Sequence, residues 1–130
     1  MINDEPDARS LIAIALSSFR ETILPLVPAA QRFPALMIAN ALATAERELA
    51  AGSAGEPALA AAVGGLIGEA GDLATLMPRL CAGIDGGAFD GDDRQAELRA
   101  VLAAVTRARL AVSNPKFLAA GSAAKSAAGP

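Results

Sequence analysis

The stretch NALATAEREL, Asn40 to Leu49, decides how this chain is read. Alanine, leucine, arginine and glutamate are the strongest helix formers, and no glycine or proline interrupts these ten residues. Upstream, Pro34 suits a first helical turn, whose backbone donors lack partners in any case. Downstream, Gly52 suits a C-terminal stop. The spacing therefore predicts a helix from Pro34 to Ala51. Ala35, Ile38, Leu42, Ala45 and Leu49 recur at three- and four-residue steps and form its expected apolar stripe. Asn40 and Arg47, two turns apart, stack nearly opposite that stripe with Thr44 beside them. By composition this line is a solvent face. Yet Leu36 and Ala43 share it and Met37 borders it, so the helix is apolar on both sides. Such a helix is expected to be packed by neighbours or by a second subunit. Buried there, Asn40 and Arg47 would need hydrogen-bonding partners.

Helical periodicity continues on either side, and strand signals are almost absent. In the preceding segment Leu11, Ala15, Leu16, Phe19 and Ile23 fall on one face, with Asp4 as the expected N-cap and Pro6 in the first turn. Pro25 and Pro28 end it. A third segment runs from Pro57 to about Ile67, interrupted by Gly64 and Gly65. Asp72 caps a fourth, whose Leu73, Leu76, Met77, Leu80, Cys81 and Ile84 share a side, with a kink or late start expected at Pro78. The fifth, about Asp93 to Val112, buries Leu98, Val101, Leu102, Val105 and Val112. Asn114 before Pro115 marks a boundary, and Lys116, Phe117 and Leu118 begin a short turn. The expected fold is all-α, a compact bundle of four to five antiparallel helices. It forms one domain over residues 1–120, followed by a disordered tail over 121–130.

Composition narrows the chemistry. The 130 residues contain no histidine, one cysteine, four phenylalanines, and neither tyrosine nor tryptophan. Without imidazole there is no Ser-His-Asp or Cys-His nucleophile system and no histidine-containing metal site. One thiol cannot build a cysteine zinc or iron–sulfur site, and it forms no internal disulfide. The formal net charge is −3, with no basic stripe and few stacking aromatics, which argues against nucleic acid. Alanine raises the mean hydropathy to +0.39, but the apolar runs Leu11–Leu16 and Ala58–Ile67 fall short of the roughly 20 residues a bilayer span needs. MINDEP at the start is acidic, unlike a secretion signal. A cytoplasmic protein with no membrane association is expected.

Each remaining motif has a plainer reading. Cys81 on an apolar stripe reads as a buried, inert thiol. The acidic loop Asp85 to Asp93 fails the EF-hand spacing, and Asp92 and Asp93 are better placed to favour a helix N-terminus. GGLIGEAG, Gly64 to Gly71, follows alanines rather than a strand and lacks the lysine of a phosphate loop, so it reads as a helix–helix connection. Glu46 and Glu48 point about 200° apart. No catalytic constellation, cofactor or metal is expected.

The runs FPALMIANALATAEREL, GDLATLMPRLCAGID and LAVSNPKFLA resemble a bacterial family of small helical proteins, domain of unknown function 6285. The correspondence rests on Asn40-Ala41-Leu42, Arg47-Glu48-Leu49, Gly71-Asp72-Leu73 and Asn114-Pro115-Lys116-Phe117-Leu118, and covers about residues 6 to 119. Pro34 stands where relatives often carry histidine. The resemblance implies no catalytic residues. It does imply, through frequent encoding beside aminoglycoside-phosphotransferase-like kinases and acyl-CoA dehydrogenases, an accessory role with such a partner. The expectation is a non-catalytic, homodimeric interaction protein, with Asn40, Arg47, Lys116 and Phe117 as its polar and docking residues. The alternative is a small-molecule module holding an acyl or phosphorylated metabolite between helices one, two and five, where Arg47 or Arg109 meets the anion.

Overall fold

A computed structural model describes residues 5–127. The expected all-α class is correct: among these residues there are helices and turns and no strand. Six α-helices form: α1 (Ala8–Ser18), α2 (Arg32–Ala51), α3 (Glu56–Ile67), α4 (Leu73–Asp85), α5 (Asp92–Ser113) and α6 (Pro115–Ala127). They divide into two compact units, Met1–Gly52 and Ser53–Pro130. The count exceeds the four or five expected because Asn114 leaves the helical region while Pro115 restarts it, and alanine then carries α6 to Ala127. That is longer than the short turn expected at Lys116–Leu118, and it enters the segment expected as a tail.

In the first unit, α1 is capped by Asp7, whose carboxylate accepts from the Ser10 amide at 2.8 Å. Asp4, the expected cap, lies outside the described residues. After Ser18 the helix widens into one π turn, Phe19–Ile23, in which the Leu24 amide reaches back to the Phe19 carbonyl. Pro25 explains the widening, since its ring cannot approach the carbonyl four residues earlier in an ordinary α-turn. Two short 3-10 turns then lead into α2, which ends at Gly52 with φ 54°.

The packing of this hairpin corrects the expected stripes. Leu16 of α1 meets Ala39 and Ala43 of α2, with Phe19 and Leu42 partly buried against them. The buried line of α2 is Ala35, Ala39 and Ala43, not Ala35, Ile38, Leu42, Ala45 and Leu49. Ile38 is 51% exposed and Leu49 45%. Of the face expected on the first segment, Leu11 in α1 and Ile23 in the π turn are exposed as well. Hydropathy ranks Ile above Ala, but two helices approach most closely where side chains are small. The alanine row at four-residue steps gives α1 that close approach.

The second unit holds the larger core. Val63, Leu76 and Leu80 are completely buried, joined by Ala60, Leu66, Phe89 and Val105. Leu73, Met77, Leu98, Val101 and Leu102 pack partly against them, as the sequence pattern predicts. α3 runs through Gly64 and Gly65 without interruption. It stops at Gly68, whose φ of 73° turns the chain so that the Glu69 amide bonds back to the Gly64 carbonyl at 3.0 Å. α4 begins at the expected cap, with the Asp72 carboxylate accepting from the Thr75 amide at 2.7 Å. It continues through Pro78.

Cys81 is exposed, which overturns its reading as a buried thiol. Only Leu76 and Leu80 define the fully buried line of α4, and Cys81 lies about 120° around the helix from it. The expected stripe was drawn too wide. The thiol should therefore react with Ellman's reagent in the native protein as fast as in the unfolded one. Protection that is lifted only by denaturant would contradict this.

Candidate functional site

The sequence directs attention first to Asn40 and Arg47. On α2 they form a ladder with Thr44: the Thr44 hydroxyl donates to the Asn40 carbonyl at 2.9 Å and accepts from Arg47 Nη2 at 3.2 Å. Asn40 is exposed and Arg47 only partly buried. Lys116 and Phe117 are exposed in the first turn of α6, with Phe117 at 63%. Asn40 and Arg47 thus belong to the first unit, and Lys116 and Phe117 to the second.

Around this ladder α2 carries an unusual amount of apolar surface. Among the described residues eleven large apolar side chains are conspicuously exposed, and nine of them precede Gly52. Phe33, Leu36 and Met37 continue the Asn40–Thr44–Arg47 line toward the start of α2. Ile38 and Leu49 lie on the other side of the alanine row, and Leu11 and Ile14 lie on α1. The buried row of α2 therefore has bare apolar flanks on both sides, and the side of α1 opposite Leu16 is apolar and bare as well. Singly exposed leucines are ordinary, but such a concentration in about fifty residues marks an interaction surface.

In the second unit an open groove of about 350 Å³ lies at the starts of α3 and α4, where Ser53, Glu56, Ala60, Gly71, Asp72 and Leu73 line it. Its polar rim is acidic. Asp72 is engaged as a helix cap, and its hydrogen bonds from Thr75 hold its carboxyl below the usual carboxylate value of 3.8. Ser10 lowers Asp7 in the same way. The folded chain thus releases these protons more readily than the unfolded one. The stabilisation is complete above the unfolded value and is lost as pH falls through the lower folded value. Urea midpoints should drop as acid is added below about pH 4. An Asp72→Asn variant, which keeps a capping oxygen but cannot titrate, should show a shallower drop. Identical acid profiles for the two proteins would refute this role for Asp72.

One polar cluster went unnoticed in the sequence. Arg94, near the start of α5, donates from Nη2 to the Leu66 carbonyl at 2.7 Å and from Nη1 to Glu97 at 2.9 Å. Its guanidinium lies 5.1 Å from the centre of the Phe89 ring. A cation thus satisfies the end of α3, where carbonyls lack partners, while covering a core aromatic. Only the third dimension brings residue 94 to residue 66, so no local pattern could have revealed it. A second ion pair joins Arg79 to Glu69 at the surface.

None of these groupings assembles a nucleophile with a base. Among the described residues no three His, Cys, Asp or Glu side chains come together in a way that could hold a metal ion. No helix there is long and apolar enough to cross a membrane.

Fold and surface together define a small all-helical protein with a compact second unit and an apolar-flanked first one. The family model for Domain of unknown function (DUF6285) matches residues 25–117, most of the chain, and the chain belongs to that family. No curated protein and no solved structure matches it.

Proposed function

We propose that this chain is a non-catalytic helical interaction protein that docks through its first unit. The observation that carries the reading is the set of nine exposed large apolar side chains before Gly52. Composition supports it: protein interfaces are enriched in Phe, Met and Arg and depleted in Lys. All four basic residues of this unit, Arg9, Arg20, Arg32 and Arg47, are arginines. The absence of histidine and the scatter of the acidic side chains support a role without catalysis. A kinase-like protein or an acyl-CoA dehydrogenase is the partner class that the family resemblance suggests.

Purified proteins of these two classes from the same source provide the test. Retention of the wild-type chain by one of them is expected, with retention lost when Ile38 and Leu49 are both replaced by glutamate. If neither retains it and the chain also fails to self-associate, the interaction reading is wrong.

The groove at α3 and α4 supports a second reading, a small-molecule module. Arg47 and Arg109, the expected anion-binding residues, are not among the groove's lining residues, and Glu56 and Asp72 at its rim favour a cationic or neutral ligand over an acyl-CoA or a phosphate. A thermal-shift panel spanning amines, short acids, ATP and acyl-CoAs discriminates, because a ligand of the folded state raises the melting temperature. Stabilisation by an amine would support it, and no shift with any compound would remove it.

A further inference from the structure

We propose that the connection between α1 and α2 is a lipid-contacting tip. Leu26, flanked in the chain by Ile23 and Phe33, enters the boundary between headgroups and acyl chains of a bilayer, and Arg20 and Arg32 at its two ends meet headgroup phosphates. This goes beyond the protein-docking reading above, which is tested through Ile38 and Leu49.

The two most exposed large apolar side chains among the described residues both belong to this stretch, Leu26 at 78% and Phe33 at 74%. Ile23 is bare as well, and Pro25 and Pro28 are exposed beside Leu26. Leu24 and Val27 are half-buried, so the connection is fastened to the hairpin while Leu26 projects from it.

Backbone bonding and charge select lipid as the occupant. A protein partner can satisfy open amides and paired charges, whereas the acyl region of a bilayer supplies neither hydrogen bonds nor counter-charges. The tip asks for little of either. Pro25, Pro28 and Pro34 have no N–H to leave unpaired. The amides of Leu24 and Arg32 bond to the carbonyls of Phe19 and Ala29. Those of Val27 and Gln31 bond to Leu24 and Pro28 at 3.2 and 2.9 Å. From Thr22 to Ala45 the only charged residue is Arg32. The nearest carboxylate, Glu21, accepts from the Ser17 hydroxyl at 3.0 Å, one turn back along α1. A hairpin end of this kind also needs no matching pocket in a fluid bilayer.

The arginines complete the pattern. Among the described residues neither Arg20 nor Arg32 takes part in an ion pair or a side-chain hydrogen bond, so both guanidinium groups are open to phosphate oxygens. The expectation of no membrane association rests on the length of the apolar runs. That length bears on crossing a bilayer, not on an interfacial contact about 5–10 Å deep. With so few inserted side chains, binding is expected to be weak and reversible.

The chain has no tryptophan or tyrosine, so a Leu26→Trp variant carries a single reporter at the tip. Its emission should shift to the blue on vesicles of phosphatidylcholine and phosphatidylglycerol, and brominated acyl chains should quench it. Phe117→Trp, on α6, should show neither effect. In flotation the wild-type chain should rise with the vesicles. Replacing both Leu26 and Phe33 with glutamate should lower its partition by more than about tenfold, with unchanged helical circular dichroism because both positions are exposed. The paired Ile38→Glu and Leu49→Glu changes should leave flotation intact, which separates this contact from protein docking. A wild-type chain that does not float, with a Leu26→Trp spectrum indifferent to vesicles, overturns the lipid contact. If Leu26→Glu then abolishes retention on a partner protein, the tip is a protein contact instead. Flotation that survives the Leu26 and Phe33 changes, or an equal shift from Phe117→Trp, overturns the assignment to this tip.

Discussion

Replacing Phe89 with alanine should lower the unfolding free energy by about 3–5 kcal/mol, the usual cost of deleting a buried aromatic ring. Phe89 sits in the connection between α4 and α5, yet it is only 4% exposed and belongs to the cluster of Val63, Leu76, Leu80 and Val105. Two neighbours are arranged around its ring. On one side a Cβ at Gly83 would lie 3.0 Å from Phe89 Cε2, so the bare backbone at residue 83 lets the ring sit close against the helix. On another side Arg94 covers the ring while holding the end of α3. Truncation therefore leaves a cavity and removes a cation–π contact worth about 0.5–1 kcal/mol at an exposed site. Phe89→Leu should recover part of the loss, because it refills volume without restoring the ring face. Urea titrations of the three proteins check this, and a loss below about 1 kcal/mol for the alanine variant would place the ring outside the core.

Gly64→Ala should be the second most damaging change, costing about 2–3 kcal/mol as an overpacked substitution. In an ordinary helix interior the same replacement stabilises by up to about 1 kcal/mol. At Gly64 the new methyl would fall within the contact radius of the Glu69 carbonyl oxygen and 3.5 Å from Leu76 Cδ1. The oxygen cannot yield easily, because the Glu69 amide is itself bonded to the Gly64 carbonyl in the turn that ends α3. Gly65 supplies the internal control. A Cβ there meets nothing within 4 Å, so Gly65→Ala should be neutral or mildly stabilising. Opposite signs at adjacent glycines are the expected result; equal effects would mean that helix propensity alone governs both.

These two cases show what could be read in advance. α3 was legible as a segment from its proline start, its alanines and its glycine end. The role of Gly64 was not, since it depends on a carbonyl five residues on that returns over the helix. The core positions of α4 and α5 followed from periodicity, because Leu76, Leu80 and Val105 are large, apolar and correctly spaced. Phe89 stands alone between two glycine-rich turns, outside any periodic segment, so no pattern marked it as core.

The candidate site divides in the same way. Asn40 and Arg47 were placed correctly on one side of α2, and the ladder through Thr44 follows from their spacing. Which side of α2 faces α1 did not follow. Hydropathy favoured Ile38 and Leu49, whereas the helices meet along Ala35, Ala39 and Ala43. Cys81 failed for a related reason: a stripe broad enough to include it exceeded what α4 buries completely.

By itself the sequence determined the all-helical class, the boundaries of α2 at Gly52 and of α4 at Asp72, and the loss of all chemistry that needs histidine. These depend on backbone propensity, on capping within three residues and on side-chain inventory, all of which are local. Tertiary structure alone decided which faces are buried, where Arg94 finds its carbonyl, and that large apolar groups on α2 stay uncovered by α1. Those outcomes depend on how closely two surfaces approach, and that distance is set by the size and shape of residues far apart in the chain.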